Sequence, residues 1–382
     1  MRKRTRVLAR TLAAAGALAA LTVATAVPAL AAPAKAAAPT SVDQDITQLY
    51  REVQDLYGAV PQSALRGVDP LIQSPIPRPG EVRAHAGPIP GCTDGSLLTY
   101  ASQLSAKLSP TEARALSALG ALSQLYTQGV ATDKSAQVFG TDGQYSARAG
   151  AAIDKLRGFW DIESWNIQLV AWKGTDLGST DKMVQTFKLG FDPNRAAKAG
   201  ALATKVLYEV PAMQGGRNPL LTLNAFSAPA DSLGGKRVML GDGLLDVVNH
   251  LGFDDVSVEA VVGHEYGHQV DFAHKNYPDN ESGEMGPDAY GGYFVAHAKG
   301  EAWNARTQQE VTYLDASIGD CYHSHGTPDQ RKAAGAWGEK QAVKQSNPNR
   351  IIPSATMIDR FQKEYPKLMP PAASAAALTA SH

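Results

Sequence analysis

The sequence predicts an α+β chain, mostly helical, with one small sheet and an N-terminal helical region. Three observations carry that reading. Apolar residues recur at helical spacing in several stretches that open on capping residues or close on glycine. One short apolar run, Val238-Met239-Leu240, has Gly-Gly before it and Gly-Asp-Gly after it, as a strand between turns does. Some twenty residues on stands "VVGHEYGHQVDF", Val261 to Phe272, whose two histidines lie four residues apart and so share one helix face.

The first element is a leader. Met-Arg-Lys-Arg-Thr-Arg gives a basic head, Thr11 to Pro28 an alanine-rich apolar run, and Ala29 and Ala31 a small-residue site. These are the parts of a secretory signal peptide over residues 1–31, so the chain is expected to be secreted. The head has no adjacent arginine pair, which argues against a twin-arginine signal. No later stretch approaches the roughly 18 apolar residues of a membrane span, so no stable membrane insertion is expected after cleavage. Cleavage would remove five of the 36 basic residues and none of the acidic ones. That leaves 31 basic against 37 acidic residues, a net charge of −6. Nucleic acid and anionic membrane surfaces both need a basic face, so neither is expected as a partner. The chain has two cysteines, Cys92 and Cys321. In an exported protein such an isolated pair forms one disulfide.

Ala32 to Thr40 is alanine- and proline-rich. From Ser41 the residues Ile46, Leu49, Tyr50, Val53 and Leu56 fall on one helical face that Gly58 ends. Pro61 to Gly91 then holds seven prolines and no period, which makes residues 32–91 a helix plus a Pro-rich linker or pro-segment. The main domain is expected over 92–365. In it, "LSPTEARALSALGALSQLY" offers Ser109 as N-cap, Pro110 at the first helical position and Glu112 to complete a capping box. The tryptophan-rich run Phe159 to Trp172 reads as core, and Ala196 to Val210 as a further helix. Residues 366–382, rich in Pro, Ala and Ser, read as a disordered tail.

The next helix is expected from about Val256 to His274, capped by Asp254 or Asp255. On it His264 and His268 can meet one metal ion. Zinc takes imidazole nitrogen, and catalytic sites supply three protein ligands and leave one position for water. Glu265 is next to a ligand in sequence but not stacked with it, so its carboxylate suits a general base acting on that water. Gly263 and Gly267 leave room for a neighbouring backbone. Asp271 is expected to be exposed, and His250, His274, His297 and His323 receive no role. A third ligand has to come from the segment that follows, where Glu281, Glu284 and Asp288 are all available.

The pattern "HEYGH" followed after 15 residues by "EMGPDA" resembles the minigluzincin metallopeptidases, a group that includes the CAAX prenyl protease family and the bacterial neutral zinc metallopeptidases. The resemblance implies a zincin-like catalytic domain with one catalytic Zn2+. It also implies Glu284 as third ligand and Asp288 as the group that orients a ligating histidine. Pro287 departs from the family pattern. Proline fits the first helical turn, which points to a later start for the second helix.

"NAFSAP", a strand and "GLL" resemble the segment where the family's edge strand binds extended substrate. That implies Asn224, Arg237, Val238, Met239 and Leu240 as substrate-binding residues. "IGDCYHSHGTPDQR" resembles the Gly-Asp, His-Gly-Thr and Gln-Arg motif of the neutral zinc metallopeptidases. It implies His325 as oxyanion stabiliser and Arg331 as holder of an acidic group. The resemblance covers Asn224 to about Gly338. The function expected is a secreted zinc metallopeptidase acting on peptide or protein substrates, with no oligomeric state specified. A non-catalytic secreted scaffold that retains the fold is the alternative, and the intact Glu265 argues against it.

Overall fold

The computed structural model describes residues 40–61, 65, 91–132, 134, 137–278, 280–321 and 325–368. The expected signal peptide, nearly all of the Pro-rich stretch, the tail beyond 368 and His323 lie outside the described residues. Twelve α-helices are present among those described: α1 (Ser41–Ala59), α2 (Ser96–Ser105), α3 (Pro110–Gly129), α4 (Ser146–Phe159), α5 (Thr180–Phe187), α6 (Pro193–Glu209), α7 (Asp242–Val248), α8 (Ser257–Ala273), α9 (Ser282–Ala296), α10 (Ala305–Ile318), α11 (Pro328–Val343) and α12 (Ser354–Leu368). The strands are β1 (Gln168–Trp172), β2 (Ala225–Ala228) and β3 (Arg237–Gly241). The chain is thus α+β and mostly helical, as expected. Among the described residues no helix is long and apolar enough to cross a membrane.

The strands form one sheet in the order β1-β3-β2, with β1 parallel and β2 antiparallel to β3. Side chains alternate across a strand, and the alternation divides the core. Leu169, Ala171, Ala225, Val238 and Leu240 face a layer built with α4, α8, α9 and α11. Val170, Trp172, Phe226, Ala228 and Met239 face a second layer with α1, α3, α5 and α6. The predicted face of α1 buries Ile46, Leu49, Val53 and Leu56 in that second layer, and Tyr57 donates to the Ala121 carbonyl at 2.9 Å. The expected capping box of α3 is present at both ends, with Ser109 accepting from the Glu112 amide and Glu112 reaching back to the Ser109 amide.

Three expectations change here. Arg237–Leu240 is a strand, but a central one, because β1 occupies the side that sequence alone leaves open. Asp254 and Asp255 do not cap α8, whose N-terminus has no side-chain cap. Their carbonyls accept instead from Arg148, which also pairs with Glu259 in the first turn of α8. The Phe159–Trp172 run is mostly core, yet Trp165 is 79 % exposed and donates to Glu163.

Helices α8 and α9 cross closely because glycine faces small or ring-constrained backbone. A Cβ on Gly267 would stand 2.8 Å from Pro287 Cα, and one on Gly291 would stand 3.3 Å from the His264 amide nitrogen. Pro287 sits inside α9, which starts at Ser282 rather than later. Gly286 explains why this is tolerated: it lacks the Cβ that would clash with the proline ring in helical conformation. The proline costs one intrahelical hydrogen bond and supplies the flat contact on Gly267.

Candidate metal centre

The spacing of four residues on α8 places His264 and His268 side by side, with their Nε2 atoms 3.2 Å apart. From α9, Glu284 brings Oε2 to 3.4 Å from His264 Nε2 and Oε1 to 3.8 Å from His268 Nε2. All three side chains are buried, and they are the one such metal-compatible group of three found among the described residues. Glu281 is at the N-cap of α9, away from this group, and accepts from the Tyr365 hydroxyl at 3.1 Å. Asp288, one turn after Glu284, lies behind the histidines rather than between them. It accepts the Nδ1 proton of His264 at 2.8 Å. Since a carboxylate only accepts, this bond fixes the tautomer that leaves the His264 Nε2 lone pair facing His268 and Glu284.

Arg331 of α11 closes the rear of the site. Its Nε and Nη2 grip Asp288 at 2.9 and 2.7 Å, and Nη1 lies 3.7 Å from Glu284. The guanidinium is fully buried. Burial opposes its charge, but Asp288 and Glu284 outweigh that and hold it more firmly protonated than a free arginine.

His325, in the turn before α11, is buried and near enough to Glu284 to favour its charge. Asp320 holds it twice, accepting from its backbone amide at 3.1 Å and from Nδ1 at 3.0 Å. Sequence reading did not single out Asp320, although the Gly-Asp preceding the cysteine was part of the motif. The turn is braced by the Cys92–Cys321 disulfide, by Asp94 accepting from the Cys321 amide at 2.9 Å, and by Gly95 donating to Gly319 at 2.9 Å.

Glu265 is 1 % exposed, and its Oε2 has no hydrogen-bond partner. Burial pushes its carboxyl up to about 8. Burial lowers His268 to about 3. Burial also disfavours charge on His264, yet Asp288, hydrogen-bonded to it, and Glu284 beside it raise it to about 10. Burial works against Glu284 as well, but His268 and His264 hold it well below the usual carboxylate range. The acidic groups therefore draw one positive charge to the space between the ring nitrogens, whether a proton or a metal cation.

The donor set tests well for zinc. Ligands about 2.0–2.2 Å from a tetrahedral ion lie about 3.3–3.6 Å from one another, and two imidazoles with one glutamate are a known catalytic zinc set. The separations here run from 3.2 to 3.8 Å. Glu284 Oε2 moreover has no hydrogen-bond partner of its own.

Residues 193–276 match the model of peptidase family M48.

These peptidases are zinc-dependent, and the match supports a zinc metallopeptidase. It runs from the start of α6 to just past α8 and includes both histidines and Glu265. It ends before Glu284, Asp288, His325 and Arg331, whose placement rests on the geometry alone. No curated protein and no solved structure matches the chain.

The substrate-strand expectation needs correction. Arg237, Val238, Met239 and Leu240 are all buried, with β1 paired on one side of β3 and β2 on the other, so no peptide can add beside them. Arg237 instead turns toward α3, donating to the Thr127 carbonyl at 2.7 Å and to Gly234 at 3.1 Å. The strand beside the histidine helix at the sheet margin is β2. Its Ser227 donates to the Glu265 carbonyl at 2.6 Å, and Gln269 donates to the carbonyls of Ala228 and Arg237 at 3.0 and 2.9 Å. Asn224, just before β2, is buried with neither amide atom hydrogen-bonded. Asp271, expected outside, is 3 % exposed and accepts from Asn276 at 2.7 Å and Tyr290 at 3.3 Å.

Proposed function

We propose that this chain is an exported zinc-dependent metallopeptidase in which Glu265 is the general base. The observation that carries the reading is the buried group of His264, His268 and Glu284 beside Glu265, whose Oε2 has no hydrogen-bond partner. The Nε2 atoms of the histidines and the carboxylate of Glu284 would hold the ion. When bound, zinc supplies Lewis acidity toward a carbonyl oxygen and makes water a stronger acid.

The chain's own groups account for the proton movements. Glu265 takes a proton from the attacking water as the new C–O bond forms, and hands it to the leaving amine as the C–N bond breaks. Its raised proton affinity suits both halves of that task. Asp288 keeps His264 in the tautomer that ligates, and Arg331 balances the two carboxylates. His325, steered by Asp320, is the donor for the developing oxyanion.

Export is supported by residues 1–31 and by the Cys92–Cys321 disulfide, which is at home in an oxidising compartment. The scaffold alternative drew on displacement of the third ligand by Pro287. The position of Glu284 beside both histidines favours catalysis over it. Mature protein is expected to hydrolyse casein, to lose that activity with a chelator and to regain it on adding zinc. Hydrolysis indifferent to chelation, or none with zinc bound, contradicts the proposal.

A further inference from the structure

Helix α8 is held on two sides by different parts of the fold. Toward α9 it presents Gly263 and Gly267, where an added Cβ would stand 3.5 Å from Gly291 Cα and 2.8 Å from Pro287 Cα. On that side His264 is fixed by α9 and α11, through Asp288 and the arginine that grips it. Toward the sheet α8 turns the Glu265 carbonyl and the Gln269 side chain. The Ser227 hydroxyl of β2 donates to that carbonyl at 2.6 Å, and Gln269 Nε2 donates to the carbonyls of Ala228 and Arg237 at 3.0 and 2.9 Å. Ala228 and Arg237 are partners across β2 and β3, so Gln269 clips the end of that pair to the helix. Ser227 is 0 % exposed and Gln269 2 %.

The Ser227 bond is not needed to satisfy the helix. In an α-helix the carbonyl of Glu265 already accepts from the amide four residues on. The buried hydroxyl uses the carbonyl's second lone pair and finds there the partner that burial demands. Its effect is to fix one residue of α8 against the sheet. That residue is the one whose side chain has to reach the attacking water, and its Oε2 has no hydrogen-bond partner to aim it. A carboxylate that takes a proton and gives it back is left free to do so when its aim comes from its backbone and packing.

We infer that Ser227 is the positioning residue of the general base. Its bond to the Glu265 carbonyl sets where the carboxylate stands, separately from the α9 and α11 contacts that set the metal ligands. The inference rests on the peptidase reading above.

Two zinc-loaded variants test it on a labelled peptide that wild type cleaves. Ser227→Ala should lower kcat about three- to tenfold, the loss of one hydrogen bond expressed as a rate, with KM and zinc affinity unchanged. Ser227→Cys fills nearly the same volume but donates weakly, so its kcat should fall by about as much. A cysteine variant with the wild-type kcat would mean that the hydroxyl only fills space. Zinc affinity lost alongside kcat would mean that base and ligands share one support. Either result overturns the inference. Hydrogen–deuterium exchange of the zinc-loaded protein reads the same contact without turnover. Ser227→Ala should speed exchange of the Gln269 amide about three- to tenfold, while the amides from Asp288 to Gly292 keep their wild-type rates. Equal acceleration in both helices is a global loss of stability and also overturns the inference. Local acceleration, in a chain whose zinc-loaded wild type hydrolyses nothing, would keep Ser227 as the brace of Glu265 and overturn the peptidase reading. Chelator-sensitive hydrolysis with wild-type exchange in Ser227→Ala would do the reverse.

Discussion

Glu265→Gln is expected to lower kcat on casein by about 10²–10⁴-fold, the usual contribution of a general acid–base group, with zinc content unchanged. The substitution keeps shape and volume and removes only the ability to accept a proton. Glu265 Oε2 makes no hydrogen bond that a glutamine would break, and Ser227 donates to the backbone carbonyl, which the variant retains. Fold and metal should therefore survive while hydrolysis is lost. A variant that cuts at the wild-type rate would remove Glu265 from the mechanism.

Arg331→Ala is expected to destabilise the chain by about 3–5 kcal/mol, the cost of breaking a buried ion pair by removing one partner. Arg331 is 0 % exposed and makes a two-pronged contact with Asp288. Asp288 carries its charge because, against burial, Arg331 and His264 hold its carboxyl below the usual range. Asp315 of α10 is buried nearby, pushed well above that range by burial first and by Asp288 next. Without the guanidinium Asp288 loses its two-pronged partner and keeps His264, and Glu284 loses the cation 3.7 Å away. Arg331→Lys should recover part of the loss, since it restores the charge but not the planar fork. Urea unfolding measures both variants. An alanine variant within about 1 kcal/mol of wild type, the usual range of a surface ion pair, would mean that the arginine is not needed to balance the site.

Much of this centre was legible because its first half is local. Two histidines four apart on a helix must share a face, and Glu265 must point aside from them. The α3 capping box and the buried face of α1 were legible for the same reason: each depends on neighbours within a turn or two. The Cys92–Cys321 bond followed from number alone. What the sequence left open is tertiary. Three acidic residues could have completed the ligand set, and only the crossing of α8 and α9 separates Glu284 from Glu281 and Asp288. The strand at Arg237–Leu240 was recognisable, but its central place was not. Its parallel partner β1 lies some seventy residues earlier and carries no mark of the pairing. Asp254 and Asp255 resemble caps, yet the α8 terminus is served by Arg148, more than a hundred residues away. Asp320 drew no notice because a lone aspartate before a cysteine acquires meaning only once the turn brings His325 onto it.

The central claim is that His264, His268 and Glu284 together hold a zinc ion. Its most direct test is the zinc content and affinity of purified mature protein, wild type beside Glu284→Ala, by metal analysis after dialysis and competition with a chelator. Wild type should retain about one zinc per chain, as a single tetrahedral site requires, and Glu284→Ala should bind it at least about tenfold more weakly. Wild type that holds no zinc, or a Glu284→Ala chain that binds it as tightly as wild type, would contradict the claim.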